Sequence, residues 1–223
     1  MKLAPMGLRQ IGQRNPPTPV GDIWFLRHDG TDPGNDTQDL VVVPTWDAAP
    51  IQSNPSANAV RTVEAWVRLP ALPGAGLDAA LWTCGAGSNN ADYTLIAQDD
   101  GDLVSNHWFN DPVWAAFWNT RLNVWGHLAV TYDGNVTECV YWNGALVSCN
   151  TLPSQLATTR TDWWFYAMPS YNGSGKRLQL DMFDWRIWGA TRTQPQIAAN
   201  MGAFLTGTET DLMLNYKDRK SVG

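Results

Sequence analysis

The sequence predicts an all-β protein whose short antiparallel strands form a two-sheet sandwich, with one short helix near the C-terminus. Charged residues make up only 16% of the 223 residues, whereas glycine and proline are frequent, with 19 and 14 copies. Apolar or alternating segments also recur between turn signals, as in all-β proteins. Sandwiches of this size are commonly one domain. We therefore expect one β domain over residues 22–223, preceded by an extended N-terminal arm of residues 1–21.

Strand signals follow one another along the chain. Residues 60–70, "VRTVEAWVRLP", alternate between two faces, and the segment "TECVYWNGALVSC" has an Asn143-Gly144 turn typical of a hairpin. Since an alternating strand has one apolar face, two packed sheets can bury all of these faces. The predicted strand segments are 22–28, 40–44, 60–70, 80–85, 92–98, 102–109, 125–134, 137–149, 162–168, 176–189 and 211–217.

The predicted helix follows the tenth of these segments. Thr193 can cap its N-terminus, and Pro195 lies in the first turn, where a missing N–H costs little. Ile197 and Met201 share one face, and Gly202 ends the pattern.

Three cysteines cannot all pair with one another. Cys139 and Cys149 flank the predicted hairpin, but a two-residue turn would set Cys149 opposite Glu138 and leave Cys139 on the other face. A longer or bulged turn would put the two cysteine side chains back on the same face of the hairpin. We expect reduced, buried thiols at these positions and at Cys84.

Five large aromatics fall within residues 106–120, "NHWFNDPVWAAFWNT". A small helix capped by Asp111 fits this stretch, and so do two strands across a turn at residues 110–112. Core packing would bury the aromatics, whereas a ligand or partner surface would leave tryptophans and amides outside. The candidate ligand-binding residues of such a surface are Trp108, Asn110, Trp114, Trp118 and Asn119.

Four segments carry a family resemblance. They are "TVEAWVRLP", "WGHLAVTYDGNVTECVYWNGALV", "LDMFDWRIWGATRTQPQI" and "DLMLNYK". Their order and spacing resemble those of laminin-G-like jelly-roll domains, which belong to the concanavalin-A-like lectin/glucanase superfamily. The resemblance covers about residues 22–217. It implies a jelly roll of two packed antiparallel sheets, and sugar binding is the function that this fold suggests.

Catalytic signatures are missing from the sequence. The glucanases of the superfamily use a Glu-x-Asp-x-Glu cluster on one strand, which points its carboxylates into one groove. The three glutamates, Glu64, Glu138 and Glu209, lack such neighbours. The histidines show no metal-ligand spacing, and no GxSxG motif is present. We therefore expect a protein that is not an enzyme.

No cofactor is expected, with calcium as the weak alternative. The acidic segment "DGTDPGNDTQD" offers oxygen ligands, of which Asp29, Asp32 and Asp36 are the candidates, but its spacing is not that of an EF-hand. The superfamily often binds calcium through an acidic residue just before a Val-Arg-Ile-like strand core. Phe183 stands at that position here.

Charge and hydropathy narrow the range of partners. A net charge of −6 gives no electrostatic footprint for nucleic acid. The sequence has no apolar run of about 18 residues, the length that crosses a membrane. The arm carries Lys2, Arg9 and Arg14, with no acid before Asp22. It is the candidate segment for docking on other virion subunits or on copies of the same chain.

These observations lead to two expected functions. The arm has no apolar run typical of an export signal, although laminin-G-like domains usually work outside cells. A virion surface protein would reconcile the missing export signal with work outside cells. It would be made in the host cytoplasm and would serve as a capsid decoration or as part of a tail or baseplate. The alternative is an extracellular carbohydrate-binding module of a secreted or cell-surface protein.

Overall fold

The computed structural model describes residues 26–28, 41–43, 59–76, 78–85, 89–158, 163–165 and 180–216. The strands in these ranges are β1 (Leu26–His28), β2 (Val41–Val43), β3 (Arg61–Arg68), β4 (Asp78–Gly85), β5 (Asp92–Gln98), β6 (Leu103–Asn106), β7 (Val113–Trp114), β8 (Gly126–Tyr132), β9 (Thr137–Trp142), β10 (Ala145–Thr151), β11 (Trp163–Phe165), β12 (Leu180–Trp188) and β13 (Leu212–Tyr216). A 3₁₀-helix, η1 (Phe117–Thr120), and an α-helix, α1 (Gln194–Asn200), complete the set.

The strands form two antiparallel sheets. Sheet A has the order β1-β12-β3-β8-β9-β10, with β13 also paired to β12, and sheet B has the order β2-β11-β4-β5-β6-β7. This arrangement confirms the predicted all-β sandwich with one short α-helix. The predicted boundary between an arm and a domain at residues 21 and 22 lies outside the described residues. Among the described residues, no helix has the length and apolar character needed to cross a membrane.

The core lies between the two sheets. Inward-facing residues alternate along β3 as predicted, and Val63, Ala65 and Val67 are fully buried with Leu128 and Val130 of β8. The outward-facing residues of β3 are buried as well, because the chain after β12 crosses this face. Trp66 donates from Nε1 to the carbonyl oxygen of Met201 at 2.8 Å.

The structure confirms the predicted N-cap of helix α1 and its buried face. The Thr193 N–H donates to Oε1 of Gln196 at 2.8 Å, which gives the N-terminus a side-chain acceptor. Ile197 is fully buried and packs against Ala129 and Tyr141 on the outer face of sheet A. The helix is therefore held on the outer face of sheet A by the buried side chain of Ile197.

The expectation of three reduced thiols is wrong for two of them. Cys139 and Cys149 form a disulfide, while Cys84 is a buried thiol, as expected. The register between β9 and β10 shifts between Leu146 and Ser148, and it sets Cys149 opposite Cys139 rather than opposite Glu138. A β-bulge supplies one extra residue in β10, which turns the side chain of Cys149 to the face that carries Cys139.

Candidate functional site

The aromatic stretch at residues 106–120 divides between the core and the surface. Trp114, Phe117 and Trp118 are exposed by only 3%, 2% and 0% and belong to the core cluster. Trp114 and Trp118 are therefore wrong as candidate ligand-binding residues. The competing interpretation, core packing, is confirmed for both of them.

Neither local structure proposed for this stretch describes it fully. The chain makes the short strand β7, and then Ala116 adopts a left-handed conformation with φ 53° before η1 begins. This turn directs Phe117 and Trp118 inward together, where their rings lie 5.6 and 6.1 Å from the ring of Trp142. Asp111 caps no helix, since η1 begins only at Phe117.

The surface part of the stretch is the loop from Asn106 to Pro112, here called the aromatic loop. Phe109 is 82% exposed, and its ring contacts the half-buried ring of Trp108 edge to face at 6.2 Å. Both residues have positive φ angles, 62° for Trp108 and 78° for Phe109. Two successive bulky residues in this region cost roughly 1–3 kcal/mol each, and such strain persists only where the surroundings enforce it.

Side chains within the aromatic loop enforce its shape. The backbone N–H of His107 donates to Oδ1 of Asp111 at 2.6 Å. The backbone N–H of Trp108 donates to Oδ1 of Asn106 at 3.0 Å. Both are local side-chain to backbone bonds of the kind that Asn and Asp make in turns. They fix the backbone on both sides of the exposed ring of Phe109.

Asn110 ties the aromatic loop to two neighbouring segments. Its Nδ2 donates to Oδ1 of Asn90 and to the carbonyl oxygen of Ser154, both at 2.8 Å. Asn110 is buried, with 3% exposure, and its Oδ1 accepts no hydrogen bond from the part of the chain that the structure describes. Asn110 therefore positions the loop, and its amide is not presented at the surface.

A buried polar cluster lies below the loop. Nε2 of His107 lies 2.9 Å from Oε2 of Glu138, and Nδ1 lies 3.1 Å from the carbonyl oxygen of Asp92. The hydroxyl of Ser105 donates to Oε1 of Glu138 at 2.9 Å. Because Glu138 is on β9 of sheet A and Ser105 on β6 of sheet B, the cluster connects the two sheets.

Electrostatics in this cluster favour a positive charge on His107. Burial by itself would lower the pKa of His107, but Glu138, the Asp92 carbonyl oxygen and Asp111 together outweigh it, and the pKa is raised above its ordinary value. Burial raises the pKa of Tyr93 well above its ordinary value, and Glu138 adds to this effect. The pKa of Asp92 is also raised, mainly by burial.

The remaining predicted site residues do not join the aromatic loop. Asn119 is exposed and lies beside Gly101. Gly101 comes just before β6 and the aromatic loop is at the other end of this strand, so Asn119 lies away from the loop. Of the five candidates, Trp108 and Asn110 lie in the aromatic loop, and the other three do not. Lys2, Arg9, Arg14, Asp29, Asp32 and Asp36 lie outside the described residues. Within the described ranges, no group of three acidic, histidine or cysteine residues is arranged to hold a metal ion.

Sequence reasoning missed Phe109, which is the most exposed large apolar residue described. The available signal was its place just before the turn residues Asn110 to Pro112. Aromatic residues at a turn are more exposed than those on a periodic strand, because connecting segments run over the surface.

The two buried glutamates have separate surroundings. Glu64 lies on the outer face of sheet A, where it accepts a hydrogen bond from Trp188 Nε1 at 3.0 Å and lies 3.5 Å from Arg186 Nη1. The strand register puts Glu138 on the opposite, inner face. Glycoside hydrolases need two carboxyl groups that flank one bond in a groove. Glu64 and Glu138 cannot form such a pair.

The family is shown by a match over well over half of the chain. The family model described as the concanavalin A-like lectin/glucanases superfamily matches residues 44–198. The chain belongs to this superfamily. The match confirms the resemblance to laminin-G-like domains and agrees with the two antiparallel sheets of the structure. No curated protein matches the sequence.

Solved structures show the same fold at low sequence identity. A candidate carbohydrate binding protein from Bacteroides ovatus is 17% identical, with a TM-score of 0.56 over 74% of this chain and 46% of that chain. The binding domain of botulinum neurotoxin serotype D is 12% identical, with a TM-score of 0.50 over 64% of this chain and 36% of that chain. The chain therefore matches less than half of the length of either structure, and the likeness concerns the fold.

Proposed function

We propose that this protein is a non-catalytic adhesion protein that binds carbohydrate through the aromatic loop. The observation that carries the proposal is the exposed ring of Phe109 on a strained and firmly held loop. Two residues with positive φ at the loop tip cost stability, and strain of this kind is concentrated at binding sites. A loop that is ordered before binding also loses little conformational entropy on binding.

The chemistry of the loop suits a sugar. A pyranose ring has an apolar face that packs on an aromatic side chain, and its hydroxyl groups need polar partners. Phe109 offers the aromatic surface, the half-buried Trp108 extends it, and the exposed Asp111 adds a carboxylate. The fold shared with a candidate carbohydrate binding protein supports this proposal, although the fold alone does not determine function.

The absence of catalysis is part of the proposal. The aromatic loop presents one exposed carboxylate, that of Asp111, whereas Asp92 is buried, and Glu64 and Glu138 are buried on opposite faces of sheet A. An assay of reducing-end release on β-glucans tests this point, and release above that of a heat-denatured sample would refute it.

Replacing Phe109 tests the binding site. We expect the wild-type protein to bind glycans on an array and Phe109→Ala to lose at least tenfold in affinity, because covering a Phe side chain contributes about 1.5–3 kcal/mol. Phe204→Ala is the matched control, since Phe204 is also exposed, at 69%, and lies outside the loop. A blank array for the wild-type protein, or equal losses in both variants, would contradict the proposal.

The setting that we propose for this adhesion protein is the surface of a virion. The support is the charge pattern of residues 1–21, in which Lys2, Arg9 and Arg14 stand without an acid in a chain of net charge −6. Such a segment suits docking on an acidic particle surface or on a second copy of the chain. The disulfide also agrees with a protein that is exposed to oxidising surroundings after release.

Deletion of residues 1–20 tests this setting. We expect the truncated protein to keep its thermal transition and to lose its association with particles, since the deleted segment precedes every described strand. A charge variant with Lys2, Arg9 and Arg14 changed to glutamine should weaken association in the same direction. Normal association of the truncated protein with particles would rule the arm out as the docking segment.

A further inference from the structure

His107 occupies an unusual place at the start of the aromatic loop. Its side chain is fully buried, and its two ring nitrogens face acceptors on different strands. Nε2 lies 2.9 Å from Oε2 of Glu138 on β9, and Nδ1 lies 3.1 Å from the carbonyl oxygen of Asp92 on β5. A neutral imidazole carries hydrogen on one nitrogen only. When Glu138 is a carboxylate, both partners can only accept, and both contacts are then hydrogen bonds only if both nitrogens carry hydrogen.

The partners of His107 favour the charged ring. Ser105 donates its hydroxyl hydrogen to the other oxygen of Glu138 at 2.9 Å, so that the carboxylate receives a donor on each oxygen. An imidazolium can donate to the Glu138 carboxylate and to the Asp92 carbonyl oxygen at the same time.

Other titratable groups around the ring add little positive charge. The Tyr93 ring stacks on His107 at 5.4 Å, and the Arg61 guanidinium lies behind it, 4.9 Å from the centre of the Tyr93 ring. Acidic groups outnumber this cation, and they raise the pKa of the ring against the effect of burial. The titratable groups that face His107 are Asp92 and Tyr93 from β5, Glu138 from β9, Asp111 from the loop and, behind Tyr93, Arg61 from β3.

The backbone of His107 connects the ring to the exposed tip. Its carbonyl oxygen accepts a hydrogen bond from the N–H of Asn90 at 2.8 Å, and its N–H donates to Asp111 at 2.6 Å. The next two residues are Trp108 and Phe109, which hold the strained φ angles. Because the chain is continuous from His107 to Trp108 and Phe109, a displacement of the His107 ring would shift these two aromatic residues.

We propose that His107 is the positioning residue of the aromatic loop and that it acts as an imidazolium held between Glu138 and Asp92. The inference rests on the proposed function, because glycan binding by the loop is what the charged ring supports. The proton is bound more tightly in the folded protein than in the unfolded chain. The stabilisation is therefore complete below the unfolded pKa and is lost as the pH rises through the folded pKa. Glycan affinity should fall as the pH rises through the folded pKa of His107.

The protonation state can be measured without any ligand. We expect ¹⁵N NMR of the histidine rings through a pH titration to show that His107 keeps hydrogen on both nitrogens to a higher pH than histidine in an unfolded chain. His127 supplies an internal contrast, since burial and the nearby Arg186 lower its pKa to about 3 and keep it neutral. The spectrum of the His28→Gln variant lacks the signals of His28, which identifies the resonances of the third histidine ring. A His107 ring that loses its proton at the same pH as histidine in an unfolded chain, or at a lower pH, would overturn the inference.

The pH profile of binding tests the link to the loop. For the strongest glycan on the array, we expect the wild-type affinity to drop about tenfold as His107 loses its proton, because one charge-assisted hydrogen bond is lost. His28→Gln should keep this profile, and His107→Gln should bind weakly and without the fall in affinity at higher pH. If His107→Gln does not fold, Glu138→Gln serves instead and should move the fall to lower pH. A glycan affinity that stays constant through the titration of His107 would overturn the inference.

Failure of this inference is distinguishable from failure of the proposed function. The indole N–H resonance of Trp108, assigned with Trp108→Phe, reports the loop without a ligand. If no glycan binds but this resonance shifts with the pKa of His107, the positioning role stands and carbohydrate binding fails. If glycans bind and the resonance does not follow His107, the positioning role fails and carbohydrate binding stands.

Discussion

At the scale of single residues, neighbouring aromatics have opposite surroundings. Trp118 is completely buried, whereas Phe109, nine positions earlier, is 82% exposed. The difference arises from the left-handed residues between strands, because Trp108 and Phe109 turn the chain outward and Ala116 turns it back. A side chain's neighbours in space, and not its residue type, therefore determine whether it contributes to stability or to binding.

Substitution of these two aromatics should separate stability from binding. Trp118→Ala should lower the free energy of unfolding by about 3–5 kcal/mol, because it leaves a large cavity in the core. Phe109→Ala should change it by about 0.5 kcal/mol or less, as is usual at exposed positions. Urea denaturation followed by circular dichroism measures both values. A small effect of Trp118→Ala would mean that this ring is not part of the core.

At the scale of elements, a single bulge decides the chemistry of a hairpin. Val147 has no cross-strand partner, since Leu146 pairs with Tyr141 and Ser148 with Val140. Without this extra residue, Cys149 would lie opposite Glu138, and the two sulfur atoms would point away from each other. The bulge therefore both allows the disulfide and interrupts the regular edge of β10.

Reduction of this disulfide should destabilise the protein. The bridge joins residues separated by 10 positions, and closing a loop of this size stabilises the folded state by roughly 2–3 kcal/mol. We expect urea denaturation with and without reductant to differ by this amount. Cys84→Ala should respond to reductant in the same way, whereas the double variant Cys139→Ala and Cys149→Ala should not respond. Thiol titration in denaturant should rise from one group to three on reduction, and three groups before reduction would contradict the bridge.

At the scale of the whole molecule, buried polar groups hold the layers together. The Glu138 cluster connects sheet A to sheet B, and Arg186 connects sheet A to the chain that covers it. The Arg186 guanidinium donates to the carbonyl oxygens of Asn200 and Ala203 at 2.6 and 2.8 Å. Buried charges are tolerated when their hydrogen bonds are satisfied. These contacts explain how the outer face of sheet A is buried without being purely apolar.

The candidate site was only partly predictable from the sequence. Trp108 and Asn110 belong to the loop, but Asn110 is a buried positioning residue, and Trp114 and Trp118 are core residues. The sequence shows that aromatics and amides are concentrated at residues 106–120. It does not show which of them face solvent, because exposure depends on contacts with residues distant in sequence. Trp118 lies against Trp142 in the core, and Asn110 is bonded to Asn90 and Ser154.

The sequence by itself determined the local features of this protein. Alternation along a strand, the Asn143-Gly144 turn and the Thr193 cap depend on residues close in sequence, and the structure has all three. Only the tertiary structure decided the Cys139–Cys149 bridge, the burial of Trp118 and the contact between His107 and Glu138. Each of these depends on register or on packing between separate strands, and a one-residue shift reverses the facing of every side chain in a strand.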